Sequence, residues 1–169
     1  MKILFNCNNS TFQARGGGEI LLLKNREYLI KKRIKVKLFD QWNDKLDNYD
    51  VLHNFGLSNN CYDLINAAYN KRVPIAITPV YSWPSLRFAI RSGISLKNKL
   101  NLSIFNLIQG NSLLNKLTKV KKMLNMANVI LTDSNAEKNI LIKNYKLKKN
   151  KFKVAPYGVD KRFYNANKR

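Results

Sequence analysis

Hydrophobic and polar positions follow two different periods along this chain, and together they predict strands that alternate with helices. Short apolar runs predict buried strands, whereas apolar residues that recur at three, four and seven positions predict amphipathic helices. The predicted strands are Lys2–Cys7, Ile34–Phe39, Asp50–Phe55, Pro74–Thr78, Asn128–Asp133 and Phe152–Ala155. The predicted helices include Glu19–Arg33, Tyr62–Asn70 and Asn135–Tyr145.

This alternation favours an α/β protein with a Rossmann-like, three-layer α/β/α architecture and a mostly parallel sheet. Residues 84–127 break the alternation, because the segment is too long for a simple crossover. We predict a helical, basic insertion there, after the fourth strand, with two helices that separate near Gly110. The second of these helices carries an apolar stripe, formed by Leu113, Leu117, Val120 and Leu124.

The connection between the first strand and the first helix is the strongest candidate for a binding site. It runs from Asn8 to Gly18, whereas a βα loop usually has roughly two to six residues. Glycine backbone tolerates positive φ and can lie flat against a ligand, and a helix N-terminus favours a phosphate. The residues predicted to contact a phosphate or diphosphate are Gly16, Gly17, Gly18 and Glu19. A flexible loop closed by a helix cap is the alternative.

The best-known nucleotide-binding motifs do not match this connection. The dinucleotide fingerprint fails because Leu21 stands where its third glycine is required. No Gly-Lys-Ser/Thr follows the glycines, which excludes the P-loop motif. Asp40 ends the second predicted strand, where a dehydrogenase reads the ribose, but the missing glycine disfavours a nicotinamide cofactor.

Other polar residues are predicted at the same edge of the sheet, since parallel strands bind ligands beyond their carboxyl ends. His53 and Asn54 end the third strand, Tyr81 follows the fourth, and Ser134 follows the fifth. His53 is the only histidine, which disfavours a zinc site. It is either a polar group that faces the ligand, which we favour, or a hydrogen-bonded edge residue. Ser134 and Glu137 have capping-box spacing, which is a sufficient structural explanation for that pair. We therefore favour a structural role over an active-site role.

Composition narrows the class of protein further. The chain has 169 residues, 45% of them hydrophobic, which is consistent with one globular domain. Its formal net charge is +21, which favours anionic partners. Two cysteines do not make a disulfide framework and favour a reducing, cytoplasmic location. The first residues are too few for a signal peptide, and no apolar run reaches the roughly 18 residues of a membrane span.

The positive charge is concentrated where acidic residues are missing. No Asp or Glu lies between Asp63 and Asp133, whereas ten lysines and arginines do, among apolar residues. This pattern favours contact with an anionic membrane. The residues predicted to form this membrane or acceptor surface are Arg87, Arg91, Lys97, Lys99, Lys119 and Lys122. A solvated basic face on a core helix is an equal alternative, and nucleic acid is disfavoured because few aromatic residues lie among the basic ones.

Several segments, taken in order, carry a family resemblance. They are Gly16–Glu19, Asp50–Asn54, Pro74–Thr78 and Ala127–Glu137, followed by Lys153–Asp160 and Phe163. Their order and spacing resemble the N-terminal domain of family 4 glycosyltransferases, which have the GT-B fold. The resemblance spans nearly the whole chain and is weakest over Pro84–Leu124.

Two positions depart from the family pattern. Many members carry an active-site histidine shortly after the fourth strand, where this chain has Val80. A catalytic histidine therefore cannot be transferred to this position. Tyr157 stands where asparagine is usual, which puts a polar role of that side chain in doubt.

The resemblance implies transfer of a sugar from a nucleotide-sugar donor to a glycan or lipid-linked acceptor, with retention and without a metal or cofactor. Such enzymes take part in surface polysaccharide and glycoconjugate synthesis. Gly16–Glu19 would face the donor diphosphate and the transferred sugar, whereas the catalytic residues are not identified. The expected location is cytoplasmic, at the inner face of the cell membrane.

The resemblance also implies a domain organisation. Residues 1–160 would form the N-terminal domain, and residues 161–169 would begin the linker to a C-terminal domain that holds most of the nucleotide. This N-terminal part alone is therefore expected to lack transferase activity. The alternative is a small basic α/β module that binds nucleic acid or a protein partner without catalysis.

Overall fold

The computed structural model describes residues 1–13, 16–80 and 115–158, with the backbone alone for residues 115–118. Its strands are β1 (Lys2–Asn6), β2 (Lys35–Leu38), β3 (Val51–Phe55), β4 (Ile75–Thr78), β5 (Val129–Thr132) and β6 (Phe152–Val154). Its α-helices are α1 (Gly17–Lys31), α2 (Tyr62–Asn70), α3 (Asn115–Met126) and α4 (Asn135–Tyr145). Short 3-10 helices occur at Thr11–Gln13, Leu46–Asn48, Asn59–Cys61 and Lys149–Lys151.

All six strands form one parallel sheet in the order β2-β1-β3-β4-β5-β6. The chain therefore moves outward from β1 in one direction to β2, then returns to β3 on the other side and continues to β6. Parallel strands need crossover connections, and helices supply them here. The predicted Rossmann-like α/β fold with a parallel sheet is confirmed.

The two faces of the sheet bury different apolar residues. On one face, Leu22 of α1 packs with Ile3, Phe5, Val36 and Phe55. The opposite face carries the larger cluster, contributed by β1, β3, β4, β5 and β6 together with α2, α3 and α4: Leu4, Leu52, Ile75, Ile77, Ile130, Phe152, Ile65, Ala68, Met123, Leu124, Leu141 and Tyr145. In β1 and β3, alternate residues enter opposite clusters because strand side chains point to the two faces in turn.

The predicted bounds match these elements closely. The helices Tyr62–Asn70 and Asn135–Tyr145 begin and end as predicted. Helix α1 begins at Gly17, before the predicted Glu19, because Gly16 is its N-cap and the glycines continue as helix. The predicted first helix of the basic insertion lies outside the described residues. The second corresponds to α3, in which Leu124 is fully buried.

Candidate functional site

The strand order creates one topological switch point, between β1 and β3. The connection that leaves β1 runs to β2, whereas the connection that leaves β3 runs the opposite way, to β4. The two connections diverge beyond the carboxyl ends of these strands and leave a crevice between them. Ligands of open α/β sheets bind in such a crevice.

A cavity of about 270 Å³ occupies this crevice. Four chain segments contribute to its wall: the loop after β1, the first turn of α1, the turn after β3, and the residue two positions after β4. The described lining residues are Cys7, Asn8, Thr11, Gly18, Glu19, Leu22, Phe55, Gly56, Leu57, Ser58 and Val80. We refer to this space as the switch-point cavity.

The three glycines contribute to this site differently from the sequence expectation. Gly16 is extended, with φ −125°, and Gly17 and Gly18 form the first turn of α1, so none of them uses the left-handed backbone that glycine permits. Helical backbone is open to every residue, so the use of glycine here lies in its missing side chain. A Cβ on Gly18 would lie 3.4 Å from Cγ1 of Val80, whereas one on Gly17 would meet nothing within 4 Å.

Glu19 closes part of the helix end that was predicted to bind an anion. Its Oε2 accepts a hydrogen bond from the backbone N–H of Gly16 at 2.5 Å. The first bond within the helix runs from Ile20 N to Gly16 O at 3.3 Å, so the N–H groups of Gly17 and Gly18 precede the helical ladder. A ligand in the switch-point cavity therefore meets both helix N–H groups and a carboxylate.

His53 lies below the cavity, among aromatic rings. Its ring stacks on Phe55 with centroids 4.3 Å apart and meets the edge of Phe5 at 5.1 Å. Its Nε2 is 2.8 Å from Oγ1 of Thr78 on β4. Burial lowers the pKa of His53 to about 4, so the ring is neutral at neutral pH. These contacts match the second alternative of the sequence analysis, a hydrogen-bonded edge residue.

Asn54 holds the turn that lines the cavity. Its side chain accepts a hydrogen bond from Asn6 Nδ2 at 2.6 Å and donates one to the carbonyl of Gly56 at 2.8 Å. Gly56 has φ +83°, a conformation that favours glycine. Asn6 and Gly56 were not singled out from the sequence. The sequence offered one signal, which is that Asn6 and Asn54 both lie near the ends of predicted strands. In the structure the two residues are paired across β1 and β3 and are buried.

Val80 is another residue of this wall that was not among the predicted site residues. Its φ is +49°, which is costly for a β-branched residue. It occupies the position where the resembling family often has a histidine, and it is the residue that approaches Gly18. Strained backbone of this kind clusters at binding sites. The neighbouring candidate, Tyr81, lies outside the described residues.

Cys7 also lines the cavity. Burial raises the pKa of its thiol, so the thiol is protonated at neutral pH. A protonated thiol is a poor nucleophile and a poor metal ligand. Within residues 1–13, 16–80 and 115–158, no cluster of three or more His, Cys, Asp or Glu is placed to hold a metal ion.

Ser134 and Glu137 lie at the other end of the sheet edge, at the start of α4, and not in the wall of the cavity. Ser134 is the N-cap, and its Oγ accepts a bond from Glu137 N at 3.2 Å. Glu137 accepts from the N–H of Asp133 at 2.8 Å, one residue earlier than a capping box requires. Burial, together with the charges of Glu137 and Asp133, raises the pKa of Tyr157 to about 12.

The basic surface is described only in part. Lys119 and Lys122 are exposed on α3, and the Nζ of Lys119 lies 5.3 Å from the ring centroid of Tyr62. Met123 and Leu124 of α3 are fully buried, so the helix buries apolar residues in the core and exposes these lysines, as both alternatives for the basic surface require. Arg87, Arg91, Lys97 and Lys99 lie outside the described residues. No helix in the described part of the chain is long and apolar enough to cross a membrane.

Comparison with models of known protein families gives no match to this chain. Comparison with curated proteins also gives no match. The α/β fold rests on the structure, and the family resemblance stays a prediction from the order and spacing of motifs.

Proposed function

We propose that this chain is the acceptor-side, N-terminal domain of a retaining glycosyltransferase of the GT-B fold and family 4. Such an enzyme would transfer a sugar from a nucleotide-sugar donor to a glycan or lipid-linked acceptor in surface polysaccharide or glycoconjugate synthesis. The observation that carries the proposal is the switch-point cavity, into which the first turn of α1 opens. The motif resemblance supplies the reaction class.

The chemistry of the cavity wall suits a sugar that carries a phosphate. Hydroxyl and amide groups of Asn8, Thr11 and Ser58 line it and can bond sugar hydroxyls. The N–H groups of Gly17 and Gly18 and the positive end of the α1 dipole favour a phosphate at the helix end. The Glu19 carboxylate accepts hydrogen bonds from sugar hydroxyls but repels phosphate, so the sugar and not the phosphate belongs beside it.

The described wall has no lysine or arginine. A diphosphate therefore finds only the helix end to compensate its charge on this side of the cleft. In the proposed enzyme the remaining compensation comes from the second domain that the resemblance implies. Because most of the charge compensation would come from the second domain, we expect this chain alone to bind nucleotides weakly.

His53 is not proposed as a catalytic residue, although it is the only histidine. Its Nε2 contacts Thr78, and its ring lies between Phe5 and Phe55. The side chain is only partly buried, but it is not among the described residues of the cavity wall, and its Nε2 is already engaged by Thr78. We assign it to the support of β3 and β4 below the cavity.

A basic binding module without catalysis is the second candidate. The net charge of +21 and the exposed lysines of α3, Lys119 and Lys122, favour it. Binding to arbitrary duplex DNA with a steep salt dependence supports this candidate. Sedimentation with anionic liposomes that is lost in Lys119→Gln/Lys122→Gln instead supports the membrane contact of the proposed transferase.

The test is nucleotide binding by two matched valine variants. Saturation-transfer NMR with uridine, guanosine and adenosine diphosphates should show millimolar binding to the wild-type chain. Gly18→Val places side-chain atoms against Val80 and into the cavity, so binding should be lost. Gly158→Val also points into open space, at a glycine that is not among the described residues of the cavity wall, and should bind as the wild type does. Equal binding by both variants, or no binding of any nucleotide by the wild type, contradicts the proposed site.

A further inference from the structure

A second cavity lies beside the first, between the carboxyl ends of β1 and β2. Its volume is about 400 Å³, within the roughly 300–1,000 Å³ of small-molecule sites. It shares only Cys7 and Asn8 with the described lining of the switch-point cavity. The two cavities are therefore neighbours on opposite sides of the chain that leaves β1.

The wall of this second cavity is uncharged except for one carboxylate. Side-chain amides come from Asn8, Asn9 and Gln41, and the carboxylate from Asp40, whereas the buried amide of Asn6 is bonded to Asn54. No described lining residue is a lysine or arginine, although the chain has 31 of them. Among the described lining residues a phosphate or carboxylate ligand would find no counter-charge, which favours an uncharged molecule with hydroxyl groups.

Aromatic residues complete the cavity. Phe5, Phe12 and Phe39 line it; Phe5 is fully buried, so the partly buried Phe12 and Phe39 supply the apolar ring surface beside the amides. A sugar ring has the matching surface: its C–H groups lie on an aromatic face, and its hydroxyls bond amides and carboxylates. A purely apolar ligand would leave the amides without partners.

Trp42 is a large exposed aromatic residue that follows this wall in the sequence. It follows Gln41 directly, and its side chain is 84% exposed. The loop that carries it is well ordered by hydrogen bonds, because Asp40 accepts from Trp42 N at 3.0 Å and from Asn43 Nδ2 at 2.8 Å, and Asp44 accepts from Asp40 N at 2.9 Å. An exposed indole held on a fixed loop costs less conformational entropy when a ligand stacks on it.

We propose that the cavity between β1 and β2, with Trp42 at its mouth, binds an uncharged saccharide. Its place in catalysis rests on the proposed function: beside a donor sugar in the switch-point cavity, this saccharide is the acceptor. The recognised acceptor group is then a neutral sugar and not the phosphate or lipid part of the acceptor. Binding itself does not require the transfer reaction.

Saturation-transfer NMR on the full chain, with methyl glycosides of common neutral hexoses and no nucleotide, tests the proposal. Glycoside signals should gain saturation, and 10 mM inorganic phosphate at constant ionic strength should not remove it, as roughly expected for an uncharged site. Trp42→Ala should weaken binding about 3- to 10-fold. Tyr69→Ala removes an aromatic side chain that is 56% exposed elsewhere, so it should change nothing.

Three results overturn the proposal: no saturation of any glycoside, displacement by phosphate, or equal weakening by Trp42→Ala and Tyr69→Ala. Preferential binding of free nucleosides over glycosides would also overturn it, because the ribose and base would then be the ligand. Gly18→Val separates this proposal from the proposed function. It should abolish nucleotide binding and leave glycoside binding intact, so either site can fail alone.

Discussion

Helices α1 and α4 both begin at the carboxyl edge of the sheet, and both carry a glutamate three residues after the N-cap. At α4 the cap is Ser134, whose Oγ accepts a bond from the N–H of Glu137 at 3.2 Å. At α1 the cap is Gly16, which has no side chain to accept such a bond. Glu137 is only 4% exposed, whereas Glu19 is partly exposed and lines a cavity.

The same spacing of N-cap and glutamate therefore has different roles at the two helices. At α4 a hydroxyl and a buried carboxylate satisfy backbone N–H groups within the protein. At α1 only the carboxylate contributes, and Gly18, which has no side chain, lies with Glu19 in the wall of the cavity. Helix N-termini attract anions wherever their N–H groups stay accessible. We therefore assign ligand binding to the α1 end and structural capping to the α4 end.

The largest predicted effect is a loss of folding stability at acidic pH, caused by His53. His53 has a pKa near 4 in the folded state against 6.5 in an unfolded chain. Between these values the unfolded chain takes up a proton that the folded chain does not. Folding stability should therefore fall as the pH drops from about 6.5 to about 4, by up to roughly 3 kcal/mol. Urea unfolding across this range measures the slope.

The carboxylates titrate in part of the same range, so His53→Gln is the required control. Glutamine can keep a hydrogen bond to Thr78 and takes up no proton. The difference between the two slopes isolates the histidine. An unchanged slope in His53→Gln would show that the imidazole is not enclosed as described.

The second prediction compares the two glutamates directly. Glu137→Ala leaves the partly buried N–H of Asp133 without its partner and should cost about 1–3 kcal/mol of unfolding free energy. Glu19→Ala removes an equivalent bond where water can replace it, and should cost about 0.5–1 kcal/mol. Chemical denaturation of both variants measures the difference. Equal costs would contradict the assignment of an open end to α1 and a closed end to α4.

The sequence predicted the helices and strands, but it predicted only part of the contrast between the N-termini of α1 and α4. The bounds of α2 and α4 follow from local periodicity and from the caps, so they were predictable. The position of His53 was also readable in principle, since Val51 and Phe55 on the same strand face predict an apolar environment. The approach of Val80 to Gly18 was not, because it depends on how β4 is placed beside α1.

The third prediction exchanges the caps. Ser134→Ala removes a side-chain cap and should destabilise the protein by about 1 kcal/mol. Gly16→Ser supplies one, since the extended backbone of Gly16 suits serine, and should stabilise it by only about 0.3 kcal/mol. A Cβ at this position lies 3.2 Å from Glu19 Oε2, which a flexible side chain can accommodate. Thermal denaturation of the pair checks both signs; destabilisation by Gly16→Ser would argue against the cap geometry.

The smallest predicted effect is on anion affinity at the α1 end. Glu19→Gln keeps an oxygen acceptor for Gly16 N but removes the charge beside the helix N-terminus. Nucleoside diphosphate binding should strengthen about two- to fivefold, as expected for about 0.3–1 kcal/mol. Glu27→Gln removes the same charge from the exposed face of α1, where it pairs with Lys24 and Lys31, and serves as the matched control. Equal strengthening in both would indicate a general charge effect.

The assignment of the ligand to the α1 end is tested most directly by backbone amide chemical shifts. A nucleoside diphosphate titrated into the 15N-labelled chain should change the amide chemical shifts of Gly17, Gly18 and Ser58. The amide chemical shifts of Asn135–Glu137, at the capped start of α4, should not change. Shifts confined to Asn135–Glu137, or none at either helix end, would contradict it.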